Sequence, residues 1–299
     1  NVYADANQGG TDTANLYDST GSDTFVFTTN HAYVVAAAGQ FNLAEHFDNV
    51  YAYAQNGGLD VAHLFDSTGN DTFRAYATYA EMSGSGRYGQ ANGWDLVYGR
   101  SENGGTDNAY LYDTTASDAL VMTNEYAYVA WSTYLNFARG FETVYATSTN
   151  GGTDVAHLFD SAGNDTFTGS SANSIMSGTG YYNHVTGYRT VYVRAQAGGN
   201  DTATLGGSTG NDTFVARSTS VYLRNSTYHH EVWGFDNAFA VATQGGYDEA
   251  YLFDTAGNDT FIGRRDYSSI SGSGLFHQAT GFDYVFSSSA NGGNDTAAF

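Results

Sequence analysis

The sequence predicts an all-β chain wound as a parallel β-solenoid (β-helix), with about 23–24 residues per coil and two coils per 47-residue repeat. Three observations predict it: a repeat of nearly constant length, a local apolar period of two, and no proline in 299 residues. Stacked identical units touch only their neighbours, so constant repeat length is the mark of a solenoid. Proline cannot donate to a sheet ladder, and its absence fits a backbone paired throughout. Helical repeats fail on composition: there are 37 Gly, dense Asp, Asn, Ser and Thr, and no stripe of period 3.6.

The repeat is anchored by a Gly-Gly-x-Asp phrase whose aspartates are Asp12, Asp60, Asp107, Asp154, Asp201, Asp248 and Asp295, spaced by 48 and then always 47. A second phrase, "GNDTF" in its fullest form, places Asp23, Asp71, Asp118, Asp165, Asp212 and Asp259. A looser cousin (Gly, any, mostly Asp, any, apolar) follows it by 24 or 25 residues, as in "GWDLV" at 93–97 and "GFETV" at 140–144. Three short strands and tight corners suit a coil of that length. Within "TDVAHLF", Asp154, Ala156 and Leu158 alternate with Val155 and His157, the pattern of a strand with one buried face.

Stacking these coils builds columns. Two residues beyond each Gly-x-Asp lies an apolar line: Phe25, Val50, Phe73, Val97, Leu120, Val144, Phe167, Val191, Phe214, Ala238, Phe261 and Val285. Large and small side chains alternate along it, which fills a narrow core without voids. A second line runs through Val34, Met82, Val129, Met176, Leu223 and Ile270, and the Gly-Gly-x-Asp strands add inward Ala and Leu, such as Ala62 and Leu64. The expectation is one continuous solenoid over 1–299, six 47-residue repeats plus a partial seventh, forming a segment of a longer array. The chain opens inside a cousin coil and stops inside another, with no cap at either end.

Composition narrows function. A net charge of −21 argues against nucleic-acid partners and anionic lipid. The longest apolar run, residues 32–39, is too short to span a bilayer. With no Cys there is no disulfide scaffold and no thiolate metal site. The 25 Tyr and 19 Phe exclude a disordered acidic chain.

The stretch "DSTGNDTFR", residues 66–74, resembles the RTX nonapeptide family, with Gly69, Asp71 and Phe73 at its key places. More loosely, the whole unit is similar to parallel β-helix tandem repeats of large secreted bacterial surface proteins. The RTX resemblance implies a secreted β-roll with calcium held between turns by carboxylates and carbonyls. The calcium reading makes a ladder of sites from Asp18 with Asp23, Asp66 with Asp71, Asp113 with Asp118, Asp160 with Asp165, and Asp254 with Asp259. The chain departs from that pattern: Asp66-Ser67 stand where the family has its first two glycines, and Asp60 lies 11 residues from Asp71 rather than nine. Two readings of these aspartates stay open. They are calcium ligands, or they are turn residues bonding nearby backbone. Gly207 replaces the first Asp in one repeat, while Glu142 and Arg189 interrupt the cousin column.

Other recurrent residues have bland readings. His63 and His157 exchange with Asn15, Asn108, Thr204 and Tyr251, which suits a strand position facing solvent. The pair His229-His230 reads as surface. Tyr51, Tyr53, Tyr98, Tyr145 and Tyr192 read as cross-strand packing on an outer face, with stacking on sugars as the alternative. Asn-Asp-Thr, as at Asn70 and Asn164, is also a glycosylation acceptor pattern, though a corner Asn explains it.

No enzyme is expected, because nearly every polar residue of interest is periodic and a catalytic constellation is not. The leading expectation is a structural protein of a bacterial extracellular fibre, stalk or filament, self-assembling by solenoid stacking or lateral contacts. A calcium-dependent RTX-like adhesin or secretion module is second, with extracellular glycans as partners. A polysaccharide-active β-helix enzyme comes after these. An ice-binding array is weaker still, since Thr24, Thr72 and Thr166 are interleaved with Asn49, Leu96 and Thr143.

Overall fold

The computed structural model describes residues 1–37 and 39–299, and the fold is a β-solenoid of stacked strands. Among the described residues there is no helix. The chain forms two compact units, residues 1–121 with 125–153, and residues 122–124 with 154–299.

In the first unit the strands are β1 (Val2–Asp5), β2 (Thr13–Tyr17), β3 (Thr24–Phe27), β4 (His31–Val35), β5 (Phe41–Glu45), β6 (Asn49–Tyr53), β7 (Val61–Phe65), β8 (Thr72–Ala75), β9 (Tyr79–Gly84), β10 (Arg87–Asn92), β11 (Leu96–Arg100), β12 (Asn108–Tyr112), β13 (Ala119–Met122, its last residue counted with the second unit), β14 (Tyr126–Trp131), β15 (Tyr134–Arg139) and β16 (Thr143–Thr147). One sheet runs β1-β5-β4-β3-β7-β11-β15-β14 and the other β2-β6-β10-β9-β8-β12-β16.

The second unit continues with β17 (Val155–Phe159), β18 (Thr166–Gly169), β19 (Asn173–Gly178), β20 (Tyr181–Thr186), β21 (Thr190–Arg194), β22 (Thr202–Gly206), β23 (Thr213–Ala216), β24 (Ser220–Arg224), β25 (His229–Trp233), β26 (Asn237–Val241), β27 (Glu249–Phe253), β28 (Thr260–Gly263), β29 (Tyr267–Gly272), β30 (Leu275–Thr280), β31 (Tyr284–Ser288) and β32 (Thr296–Ala298). Its sheets run β17-β21-β25-β24-β23-β27-β31 and β20-β19-β18-β22-β26-β30-β29-β28-β32.

Each repeat therefore lays down five strands rather than two sets of three. The Gly-Gly-x-Asp strand and the cousin strand pair in parallel, as Ala62 with Val97. Between them the "GNDTF" strand opens an antiparallel meander in the opposite sheet, as β8, β9 and β10. The physical reason lies in the turns. Tyr76 N bonds Tyr79 O across the first, at 2.8 Å. The second is Ser85-Gly86, with φ of 49° and 78°, the left-handed pair of a type I′ hairpin. Because the meander lies in the sheet opposite its flanking strands, successive repeats present it to alternate sheets. Successive "GNDTF" strands such as β3 and β8 thus belong to opposite sheets.

The columns read from the sequence face the core. Phe25, Val50, Phe73, Val97, Leu120, Val144, Phe167, Val191 and Phe214 are buried, as are Ala238 and all of the Val34–Ile270 line. Phe261 and Val285 are half-buried and line a concavity of about 380 Å³ with Ile270 and Phe299. The two lines prove to be register partners within the meander: Phe25 lies opposite Val34, Phe73 opposite Met82, and Phe167 opposite Met176.

From Gly57-Gly58 onward, the second Gly of each Gly-Gly-x-Asp phrase has a steric cause. A Cβ on Gly105 would run into the carbonyl of Gly69, and one on Gly199 into that of Gly163. The corners of successive repeats touch backbone to backbone, and only glycine permits it.

Candidate functional site: the corner carboxylates

The aspartates form two sets of backbone acceptors, both joining one repeat to the next. In the first set, Asp66 accepts Glu102 N (3.0 Å) and Asn103 N (2.8 Å) on one oxygen and Asn103 Nδ2 (2.8 Å) on the other. Asp18 does the same for Gln55 and Asn56, and Asp113 for Thr149 and Asn150. Asp254 holds Asn291 by its N and Nδ2, both at 2.8 Å. The partner is always the residue before the next Gly-Gly. Asp160 faces Ala197 there and keeps only a backbone N–H, at 2.8 Å. Where Gly207 lacks the carboxylate, the partner position holds Gln244 instead of Asn.

The second set is a relay. Asp71 accepts Ser67 N (2.9 Å) and Ser67 Oγ (2.7 Å), closing its own corner. Its backbone N donates to Asp107 Oδ1 at 2.6 Å, and Asp107 N donates to Glu142 Oε2 at 2.8 Å. The same relay runs Asp23, Asp60, Asp95; Asp165, Asp201, Asp236; and Asp212, Asp248, Asp283. Asp118 and Asp259 close their corners on Thr114 and Thr255. Burial, with neighbouring carboxylates adding to it, holds the carboxyls of Asp60, Asp107, Asp201 and Asp248 above the ordinary range; the N–H bonds they accept act the other way.

Each calcium candidate thus accepts backbone N–H groups, as a turn residue does. Asp66 and Asp71 sit at one corner but serve different donors. Among the described residues, ligand atoms of three acidic or imidazole groups come within 4.8 Å of one another only at Asp5, Glu45 and His46. There His46 Nδ1 lies 2.8 Å from Asp5 Oδ1, and Tyr3 donates to Glu45 at 2.7 Å. None of these three is among the ten candidates.

Sequence reasoning missed the second meander strand. Its inward position holds Asn42, Gly89, Asn136, Asn183, His230 and His277 in successive repeats. Asn136 Nδ2 donates to Tyr76 O (3.1 Å) and Asn183 Nδ2 to Thr123 O (2.9 Å), each tying down the opposite sheet's first meander turn. His230 corrects the surface reading of the His229-His230 pair. His229 faces outward, while His230 is 1% exposed, its Nε2 3.3 Å from Ser174 Oγ and its Nδ1 without a partner. Burial, and then the neighbouring His229, lowers the His230 imidazole to about 4; burial alone lowers His277 to about 4.

His63 and His157 lie half-buried on the outer face, stacked on Tyr98 (5.2 Å) and Tyr192 (5.4 Å). Tyr51, Tyr53 and Tyr145 pack against Tyr88, Tyr17 and Tyr110 on neighbouring strands. Asn70 and Asn164 serve as corner acceptors for Thr106 N and Asn200 N.

Comparison with protein-family models, with curated proteins and with solved structures found no match.

Proposed function

We propose that the chain is a structural repeat protein of a bacterial extracellular surface fibre, stalk or filament, assembling by solenoid stacking or lateral contacts. One observation carries this reading: the recurring carboxylates accept backbone donors across the repeat boundary, Asp66 from Asn103 of the following repeat and Asp107 from Asp71 of the preceding one, so each repeat completes the hydrogen bonding of its neighbour. Side chains occupied in this way act as mechanical joints. Negative-stain images at rising concentration test the proposal. Elongated particles or filaments are expected, and compact monodisperse globules count against it.

A second reading, a calcium-dependent RTX-like adhesin or secretion module, draws on the carboxyls of Asp60 and its equivalents. Neighbouring carboxylates add to the burial that raises them, and a divalent cation would relieve that repulsion. Circular-dichroism melts with millimolar calcium and with chelator test it. Superimposable curves remove its support.

A further inference from the structure

We propose that the outer face of the second unit's sheet β17-β21-β25-β24-β23-β27 binds a polysaccharide that carries carboxylates. The face is a continuous pavement of rings. Tyr192 lies between His157 (5.4 Å) and Trp233 (5.6 Å), and His229 is 5.7 Å from Tyr222. Three arginines lie on these rings. Arg194 sits 4.9 Å above Trp233, Arg217 5.3 Å above Phe253, and Arg224 5.1 Å above Tyr222.

Charge decides what fits. In a chain of net charge −21, none of these three arginines has an ion-pair partner among the described residues. The carboxylates on these strands are Glu231, 3.2 Å from His229, and Glu249, which accepts from the Tyr251 hydroxyl at 2.8 Å. The unit's other sheet is different: β18, β19, β20, β22, β26, β28, β29 and β30 contain no Asp, Glu, Arg or Lys. In this unit the arginines that lie over aromatic rings, Arg194, Arg217 and Arg224, are all on this face.

Guanidinium pairs with carboxylate through two parallel hydrogen bonds, and the ring beneath holds its plane. Half-buried aromatic rings offer flat apolar area to the C–H face of a pyranose. Arg194 and Arg217 stand three strand steps apart, about 14 Å at sheet spacing, so one extended chain meets both. A bare polyanion gains no stacking and meets the repulsion of the whole acidic protein. An acidic sugar chain satisfies both halves of the surface. This inference does not depend on the assembly proposed above.

The test is calorimetric titration of the full chain with polygalacturonate, dextran and polyglutamate. Polygalacturonate is expected to bind, with dextran and polyglutamate at least tenfold weaker. The double variant R194Q/R217Q, both on surface side chains, should lose at least tenfold affinity with an unchanged circular-dichroism spectrum. The W233L variant should lose a comparable amount, and R100Q in the first unit should stay within twofold of the parent. Four results overturn the proposal: no binding to polygalacturonate, equal binding to polyglutamate, undiminished binding by R194Q/R217Q, or self-association of the chain that the same double variant abolishes.

Discussion

Asn136 in the first unit and His230 in the second occupy the same place, two repeats apart. Both lie on the second strand of a meander and point inward. Asn136 is 1% exposed and donates to Tyr76 O, leaving its Oδ1 without a partner; His230 is equally buried and likewise leaves one polar atom, Nδ1, without a partner, but its ring can titrate. The outer face varies in the same way. Arg100 lies over Phe65 at 5.5 Å but pairs with Glu102 at 3.4 Å, while its counterpart Arg194 has Gln196 in that place. The backbone is repeated, while polar groups at equivalent places differ in whether they titrate and whether they are neutralised. A solenoid fixes where a side chain sits and leaves its chemistry free.

The largest expected effect tests whether the two units share one kind of core. Phe73 and Phe167 are equivalent and fully buried. Replacing either with Ala should cost about 3–5 kcal/mol in urea unfolding. A loss under about 1 kcal/mol from one but not the other would break the equivalence.

Next is acid. His230 and His277 belong to the second unit, where burial lowers both imidazoles to about 4. The unfolded chain binds more protons between about 4 and the ordinary imidazole value near 6.5. Their contribution is therefore complete above that value and lost as pH falls through the window, by roughly 3 kcal/mol for each at most. The raised carboxyls of Asp60, Asp107, Asp201 and Asp248 act oppositely, since the folded state holds those protons more tightly as pH falls, and both units contain them. Hydrogen exchange at pH 5 should show the second unit opening first. H230N/H277N should remove the difference, because Asn136 and Asn183 already fill the equivalent places.

A smaller effect sharpens the comparison at the corners. Asp66 clasps an Asn by backbone and side chain, whereas Asp160 clasps only the backbone of Ala197. D66A, which also loses the bond from Glu102 N, should therefore cost about 2 kcal/mol more than D160A in urea titrations, the worth of two hydrogen bonds. The smallest expected effect is at His46, with φ of 61°, where the following repeats place Gly93 and Gly140. H46G should change stability by less than about 1 kcal/mol, relief of backbone strain offsetting the lost bond to Asp5. A loss above about 2 kcal/mol in thermal unfolding would mean that the Asp5 contact outweighs the strain.

Much of this was legible in the sequence. The 47-residue period and the Phe/Val columns name the core directly, because apolar side chains in fixed register have few other places to go. The meander was less legible. A cousin motif near the midpoint of the repeat suggests two equal coils, while the local signal, Gly84-Ser85-Gly86 between alternating residues, marks a hairpin. The inward Asn/Gly/His column gives no hydrophobic signal, so only the strand register exposes it. The aspartates were visible as corner residues. The roles of Asp66 and Asp107 were not, because their donors lie in neighbouring repeats and are found only once the corners are stacked.

The alternation of the meander between sheets has a consequence for how such an array can lengthen or shrink. Deleting a single 47-residue module would exchange the two outer surfaces for everything downstream, moving Tyr192 and Trp233 to the side that now carries Thr168, Thr204 and Phe239. Removing two modules leaves every later residue on its original side. Recombination that preserves the decorated surface must therefore proceed in even steps.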